Sequence, residues 1–449
     1  MPLSTRPLFR GPIRPESSTK DRVDSAFKRH PGPNAHSRSL RIALLSYRSN
    51  PHCGGQGIYL RYLSQALVQL GHRVDVISGE PYPELVPEVN LIPLPGLNLY
   101  SYSKPTQGLK DRGLHSSTDI LEYASFISGG FPEPFTFTRR LAAYFRVHAP
   151  EYDIIHDNQS LGSGLLSLVN SGWPVVSTIH HPITRDLQLA LANEPKWGMR
   201  LFIRRWHRFL TMQKKVAPRL NRTLTVSTQS KKDLVQDFGL KPENIDVVLN
   251  GVDTEAFAPR PGIERIPHRI MATASADVPL KGLIYLLRAI GRLTAEFQDL
   301  ELVVLGRPKT NGPTARLLDQ SDLRRHVRFV HGLSTEELVA EYAKSSLAVV
   351  PSLYEGFGLP AAEAMSCGVP VVATEAGGLP EVVGNAGCIV PPADSEALAA
   401  VIKSLLRHPE SLISLGLAGR QRMLSKFTWK RAAQETVAVY RKVIGGMGN

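Results

Sequence analysis

Two glutamates, Glu355 and Glu363, lie on either side of the glycine-punctuated stretch Gly356-Phe357-Gly358-Leu359-Pro360. Carboxylates accept hydrogen bonds from hydroxyl groups such as those of a sugar. The glycines allow the backbone to approach a ligand closely, and Pro360 is typical of the first turn of a helix. Free N–H groups and the dipole at such a helix start favour phosphate. Phosphate donors beside hydroxyl acceptors predict a site for a nucleotide sugar.

A second glycine turn, Gly377-Gly378, follows the predicted strand 369–373 and opens another short helix. Two helix N-termini are therefore expected at the ends of adjacent strands, where both can face one anion. The backbone amides predicted to contact the donor phosphates are those of Phe357, Gly358, Leu359, Gly377 and Gly378.

Three further positions, all at ends of predicted strands or starts of helices, join this candidate site. Lys281 precedes a predicted helix and suits a diphosphate, although a solvated lysine is the alternative. Gly54-Gly55 lies in the loop after strand 41–46, where the alternative is a tight turn only. His180 follows the apolar strand 174–179, at the edge where open α/β sheets bind ligands. The alternatives there are a locally satisfied histidine, or His181 in its place.

The elements that position these residues alternate between apolar strands and amphipathic helices, which predicts parallel sheets covered by helices. A chain of 449 residues exceeds one usual domain, so we expect two doubly wound α/β domains of Rossmann-like type. The proline-rich stretch 258–267 is the expected linker. The predicted divisions are a disordered basic arm (1–38), an N-terminal domain (39–258), a C-terminal domain (268–427) and a last helix (428–449).

Composition is that of a globular protein, and no apolar run reaches the roughly 18 to 20 residues that span a bilayer. The N-terminus shows no apolar core of signal-peptide type. Three scattered cysteines favour neither a disulfide frame nor a zinc site and fit a reducing cytoplasm. We therefore expect a cytoplasmic protein without a resident metal or cofactor. Nothing in the composition indicates a nucleic-acid partner.

The net charge of +13 is local: residues 1–38 carry eight Lys/Arg and three Asp/Glu, and residues 195–222 carry nine Lys/Arg and no acid. Helical spacing between Trp197 and Arg222 puts apolar residues on one face and arginines opposite. One interpretation is peripheral contact with an anionic membrane or acceptor through 195–222. The other interpretation, which we favour for the apolar face, is packing against the domain core.

The stretch 349–383 as a whole resembles the signature of retaining glycosyltransferases of family 4, which have the GT-B fold. The resemblance rests on Glu, seven residues and Glu, with G-F-G-L-P between them and a Gly-Gly-x-Pro-Glu turn after. It extends to Ser227 and Ser230, to the N-G-V-D segment 250–253, and to Lys281-Gly282. It implies transfer of a glycosyl group from a nucleotide-diphosphate sugar, with an unidentified acceptor and no metal, since no D-x-D motif is present.

The resemblance also implies roles for single residues. Glu355 would contact sugar hydroxyls and ease charge at the anomeric carbon, with His180 close to the donor sugar. Glu363 would bind the ribose diol. The family commonly has Gly-Arg shortly before the lysine, whereas this chain has Ser275-Ala276 there. More of the diphosphate charge must then be neutralised by Lys281 and backbone amides, with Arg307 as a weaker candidate.

Other classes share parts of this pattern. A GT-B sugar-nucleotide epimerase needs acid and base groups on the sugar ring and lacks the glutamate signature. A starch-type phosphorylase needs a cofactor-binding lysine and a longer chain. A non-catalytic nucleotide-sugar-binding protein would keep the diphosphate site and lose His180 or Glu355, and both are present.

Overall fold

The computed structural model describes residues 38–50, 55–102, 104–273, 278–310, 312–319 and 322–447. Three sequence predictions therefore fall outside the described residues. They are the basic arm up to residue 37, Gly54 of the first glycine loop, and the Ser275-Ala276 segment before Lys281.

Thirteen strands form two all-parallel sheets in the described part of the chain. The seven-stranded sheet of the N-terminal domain has the order β3-β2-β1-β4-β5-β6-β7, and the six-stranded sheet of the C-terminal domain has the order β10-β9-β8-β11-β12-β13. The strands are β1 (Arg41–Ser46), β2 (Arg73–Ser78), β3 (Asn90–Pro93), β4 (Ile154–Asn158), β5 (Val175–Ile179), β6 (Arg222–Thr225), β7 (Ile245–Val247), β8 (Ile266–Ala272), β9 (Glu301–Leu305), β10 (Val327–Val330), β11 (Ser345–Val350), β12 (Val371–Thr374) and β13 (Cys388–Val390).

Helices connect and cover these strands. They are α1 (Gly55–Gln69), α2 (Pro105–Arg112), α3 (Ser117–Ile127), α4 (Glu133–His148), α5 (Gly164–Asn170), α6 (Thr184–Asn193), α7 (Trp197–Trp206), α8 (Phe209–Val216), α9 (Thr228–Phe238), α10 (Leu283–Leu293), α11 (Pro313–Asp319), α12 (Thr335–Lys344), α13 (Leu359–Ser366), α14 (Leu379–Val383), α15 (Ser395–Arg407), α16 (Pro409–Lys426) and α17 (Trp429–Gly446).

Both faces of each sheet are buried, which explains the continuous apolar runs of the strands. In β1, Ile42 and Leu44 enter the cluster beneath α1 and α17. Ala43 and Leu45 enter the cluster beneath α4 and α5 on the opposite face. Strand β8 divides its side chains in the same way between the two cores of the C-terminal domain. The α/β prediction is confirmed.

Each sheet reverses its order beside its first strand, between β1 and β4 and between β8 and β11. Ligands of doubly wound sheets bind outside the carboxyl ends of the strands at this reversal. The first glycine loop follows β1, and Glu355 follows β11. The predicted site residues therefore lie at the two positions where the topology opens a crevice.

Helix α17 packs on the N-terminal domain although it follows the C-terminal domain in sequence. Trp429, Ala433 and Tyr440 belong to the core cluster that contains β1 and α1. Within the described residues, no helix is long and apolar enough to cross a membrane.

Candidate active site

The centre of the site is an ion pair between the two charged residues predicted for the C-terminal domain. The Lys281 ammonium Nζ lies 2.6 Å from Glu355 Oε1. The hydroxyl of Ser352 donates to the same oxygen at 2.9 Å. Lys281 ends the short turn Pro279–Lys281 after β8, and Glu355 follows β11, so neighbouring strands bring them together. The carboxylate of Glu355 is therefore paired with the cation that is expected to bind phosphate.

Three consecutive backbone amides adjoin this pair. They belong to Phe357, Gly358 and Leu359, and no described residue accepts a hydrogen bond from them. Gly358 has φ of 107°, and α13 begins at the next residue. Successive free N–H groups at a helix start form an anion-binding concavity. The predicted phosphate donors are thus available on this side.

Gly55 of the N-terminal domain lies near the same helix start. Gly55 begins α1, and a Cβ added to it would lie 3.9 Å from Cδ1 of Leu359. The N-termini of α1 and α13 therefore approach each other across the interdomain cleft. Gly54, also predicted to bind the donor, is outside the described residues.

The Gly377-Gly378 turn packs tightly against the backbone of the first glycine turn. A Cβ at Gly377 would come within 1.8 Å of the Glu355 carbonyl oxygen, and its φ is 60°. The amide of Gly378 donates to that carbonyl oxygen at 2.8 Å. This amide is thus engaged in holding the Glu355 turn, which gives the second glycine pair a positioning role beside the predicted phosphate contact.

Glu363 lies on α13 and retains some accessible surface. Burial of its carboxyl group raises its pKa to about 8, although a weak hydrogen bond from the Tyr342 hydroxyl (3.5 Å) opposes the shift. The group is therefore mostly neutral at pH 7 before any ligand binds. A ligand that offers two hydroxyl donors would favour its charged form.

His180 is held as a neutral imidazole. Its pKa is lowered to about 3, chiefly by burial and to a smaller extent by the neighbouring His181 and His156. Asn158 donates through Nδ2 to the carbonyl oxygen of Gln56 (3.1 Å), so its Oδ1 faces His180 Nε2 at 2.7 Å. The imidazole proton is assigned to Nε2 on this basis, which leaves Nδ1 as an acceptor.

A chain of buried hydrogen bonds holds Tyr59, and the ring of Tyr59 packs against His180. Tyr440 of α17 contacts His156 Nδ1 at 2.6 Å, and Thr178 contacts His156 Nε2 at 2.7 Å. Thr178 also pairs with the Tyr59 hydroxyl at 2.9 Å. The Tyr59 ring packs edge-on to His180 with centroids 4.6 Å apart. The last helix thereby contributes to the position of the site.

Direct contacts join the two domains at the site. A Cβ at Gly356 would lie 2.3 Å from the His180 carbonyl oxygen. The Ser230 hydroxyl is 3.3 Å from the carbonyl oxygen of Gly356. The Tyr354 hydroxyl donates to Asp233 Oδ2 at 2.7 Å in a buried contact. The predicted residues of both domains therefore meet in one place.

Sequence reasoning missed the residues that orient the predicted ones. Asn158 ends β4 and Gln159 follows it, and Gln159 Oε1 accepts from the His180 amide at 2.7 Å. Ser352 orients Glu355. The available signal was their position at the carboxyl end of strands beside the sheet reversal. Arg307, considered as an extra phosphate ligand, donates to His331 Nε2 at 2.6 Å.

The described residues contain no group of three or more His, Cys, Asp or Glu side chains suited to a metal ion.

Two Rossmann-like domains, each built on a parallel sheet, meet at this site. This is the architecture of a glycosyltransferase of the GT-B fold. The family model "Glycosyltransferase Family 4" matches residues 53–256, and "Glycosyl transferases group 1" matches residues 264–422. The chain belongs to this glycosyltransferase family, as the sequence predicted.

Individual proteins agree with that assignment. The chain is 47% identical over 409 residues to the "MMP alpha-(1->4)-mannosyltransferase" of Mycolicibacterium hassiacum, covering 90% of this chain and 98% of the relative. Its fold is similar to sucrose-phosphate synthase of Thermosynechococcus elongatus, with 25% identity, a TM-score of 0.67, and coverage of 90% and 99%. It is also similar to HepE of Anabaena in complex with UDP and glucose, with 18% identity, a TM-score of 0.64, and coverage of 89% and 99%.

Proposed function

We propose that this protein transfers a glycosyl group from a nucleotide-diphosphate sugar to a hydroxyl of an acceptor. The observation that supports it best is the run of three amides, Phe357 to Leu359, that donate to no described residue and follow the Glu355 of the Lys281–Glu355 pair. Amides and an ammonium suit the diphosphate, and the carboxylate suits the sugar hydroxyls. The UDP and glucose found with the Anabaena protein are ligands of the same two kinds.

The donor's diphosphate would displace Glu355 from part of its contact with Lys281. The bond between the anomeric carbon and the phosphate oxygen then breaks, and a bond from the acceptor oxygen forms. The acceptor proton passes to the departing phosphate. Lys281 and the free amides stabilise the negative charge that develops on this leaving group, so no metal is needed. Glu355 stabilises positive charge at the anomeric carbon of an oxocarbenium-like transition state.

His180 would orient the donor sugar through its neutral imidazole, because an imidazole with a pKa of about 3 is too weak a base to take up a second proton near neutral pH. Glu363 would accept hydrogen bonds from the ribose diol. These roles make the C-terminal domain the donor side and leave the acceptor to the N-terminal domain.

We propose an α-mannosyl group as the one transferred and retention of its configuration. The 47% identical relative is named as an α-(1->4)-mannosyltransferase, and the match covers 98% of its length. Transfer from an α-linked donor to an α-linked product retains configuration. A front-face reaction of this kind needs no enzyme nucleophile.

The test is incubation of the protein with isotope-labelled nucleotide sugars that differ in base and sugar, with a panel of mannoside acceptors. We expect label in an acceptor glycoside from a nucleotide mannose, without added metal and in the presence of a chelator. The one-bond C1–H1 coupling of the product gives its anomeric configuration. Formation of a 2-epimer alone would overturn the proposal, and a β-linked product from an α-linked donor would overturn retention.

A further inference from the structure

Helix α7 lies on the protein surface with no buried residue in it. The sequence predicted one amphipathic helix from Trp197 to Arg222, with packing on the core and contact with an anionic membrane or acceptor as the two interpretations, and the single helix was wrong. The structure divides the segment into α7 and α8, with a break at His207 and Arg208. Leu210 of α8 is buried, whereas Trp197 of α7 is 77% exposed and Leu201 is 51% exposed. Trp197, Met199, Leu201 and Phe202 are therefore about half exposed or more, whereas Trp206 packs on Phe131.

Cations surround these apolar groups. Lys196, Arg204 and Arg208 are exposed, and the whole segment 195–222 contains no acidic residue. Positions 197, 201 and 204 fall on one side of the helix because residues three and four apart share a face. Trp197 and Leu201 thus project beside Arg204.

Helix α3 adjoins α7 and also exposes apolar side chains. A Cβ at Gly129, just after α3, would lie 2.7 Å from the Phe202 ring. Arg205 donates to Ser128 at 2.6 Å, which fixes α7 beside the end of α3. Ile120 and Ile127 of α3 are 55% and 60% exposed, and their spacing of seven puts them on one face. We call α7 with this part of α3 the α3–α7 surface.

We propose that the α3–α7 surface docks on an anionic lipid bilayer. A short helix with exposed Trp and Leu beside Lys and Arg binds at the boundary between headgroups and acyl chains. The absence of acids from 195–222 matches a negatively charged membrane, whose attraction to each Lys or Arg near the surface is worth about fivefold in affinity. A neutral protein partner would explain the apolar groups and not the nine Lys/Arg without an acid in 195–222.

The position of this surface has a consequence for the enzyme. Helix α6 contacts the turn that ends at Lys281, and α7 follows α6 with only three residues between them. Docking through α7 would therefore bring the N-terminal side of the cleft close to the bilayer. The inference does not depend on the identity of donor or acceptor.

The test is co-sedimentation of the full chain with vesicles of phosphatidylglycerol and phosphatidylcholine, compared with vesicles of phosphatidylcholine alone. We expect binding to the anionic vesicles at low salt, with weakening as salt is added. W197S/L201S should reduce the binding constant about tenfold or more, because it removes the inserting groups. K196E/R204E/R208E should reduce it on the order of 100-fold, from about fivefold for each cation.

Matched controls use other exposed residues. I413S/L417S removes two apolar side chains of α16, 66% and 70% exposed, and should bind like wild type. K241E/K426E/K430E makes the same charge change at exposed positions elsewhere and should retain most of the binding. Thermal melting of each variant shows that it is folded.

Several outcomes would overturn the proposal. They are no binding to anionic vesicles at low salt, equal binding to neutral vesicles, and loss of binding in the controls as large as in the α7 variants. Binding lost only when Arg6, Arg10 and Arg14 are replaced by Glu would assign it to the N-terminal arm instead. A concentration-dependent dimer dissociated by W197S/L201S, without vesicle binding, would make the surface a contact between two copies.

Discussion

The two domains have the same strand order around their reversal points, yet they present different chemistry to the cleft. The N-terminal edge offers uncharged hydrogen-bonding groups, a neutral His180 and the amides of Asn158 and Gln159. The C-terminal edge offers the Lys281–Glu355 pair and the amides of Phe357, Gly358 and Leu359, which donate to no residue that the structure describes. The fold thus supplies two equivalent crevices, and the loops place groups that orient a ligand in one crevice and groups that stabilise charge in the other.

The first way to test this division is to remove the cation. K281M should lower kcat/KM by about 10²–10³-fold, because it removes transition-state charge stabilisation on the leaving phosphate. Steady-state kinetics measures this loss, with K430M as a control at an exposed lysine.

E355Q should lower kcat more than it raises KM. The double variant K281M/E355Q should lose less than the product of the single losses, because the two groups contact each other. Full additivity would contradict a functional pair.

The second prediction concerns the contact between the two edges. G356A should lower kcat/KM by about 30- to 100-fold, because the new Cβ would lie 2.3 Å from the His180 carbonyl oxygen and separate the domains. The melting temperature should change little, since the clash is between domains rather than within one. G262A, where nothing lies within 4 Å of the added Cβ, is the control. Unchanged activity in G356A would show that the cleft need not be this closed.

A third prediction follows from the raised pKa of Glu363. The free enzyme holds this carboxyl group protonated up to about pH 8, and hydroxyl donors of a bound nucleotide favour the charged form. Binding of the nucleotide then releases a proton from Glu363. The affinity for the nucleotide should therefore rise by up to about tenfold per pH unit below pH 8 and level off above pH 8. Calorimetry in buffers of different ionisation enthalpy counts the proton. In E363Q the pH dependence should vanish and affinity should fall. Proton release that persists in E363Q would assign it to another group.

The smallest effect is expected at His180. Its imidazole is neutral between pH 5 and 9, so the kcat/KM profile should show no inflection near 6.5 from this residue. N158L should lower kcat a few-fold by releasing the ring from its hydrogen bond, with the profile unchanged in shape. An inflection near 6.5 that disappears in H180N would contradict a purely orienting role.

The fold and the charged half of the site were predictable because local rules determine them. Continuous apolar strands between amphipathic helices indicate parallel sheets, and glycine turns at strand ends mark the crevice. Glu355 and Lys281 follow from that pattern and from the family signature. Their direct contact does not, because it depends on two side-chain rotamers 74 positions apart in sequence.

The remaining errors have similar physical causes. The spacing of apolar residues between 197 and 222 fitted one helix, yet packing of Trp206 and Phe209 on Phe131 accompanies a break at His207. Periodicity also gives no information about which face is covered by other elements. The support of His180 by Asn158 and by Tyr440 of α17 required the three-dimensional proximity of distant segments.

Titration of wild type, K281M and H180A with free UDP, GDP and ADP tests the division between the two edges most directly. The diphosphate alone carries charge and lacks the sugar. We expect K281M to lose about tenfold or more in affinity for the nucleoside diphosphate that wild type binds, and H180A to keep it within about twofold. Equal losses in both variants, or an unaffected K281M, would contradict the account.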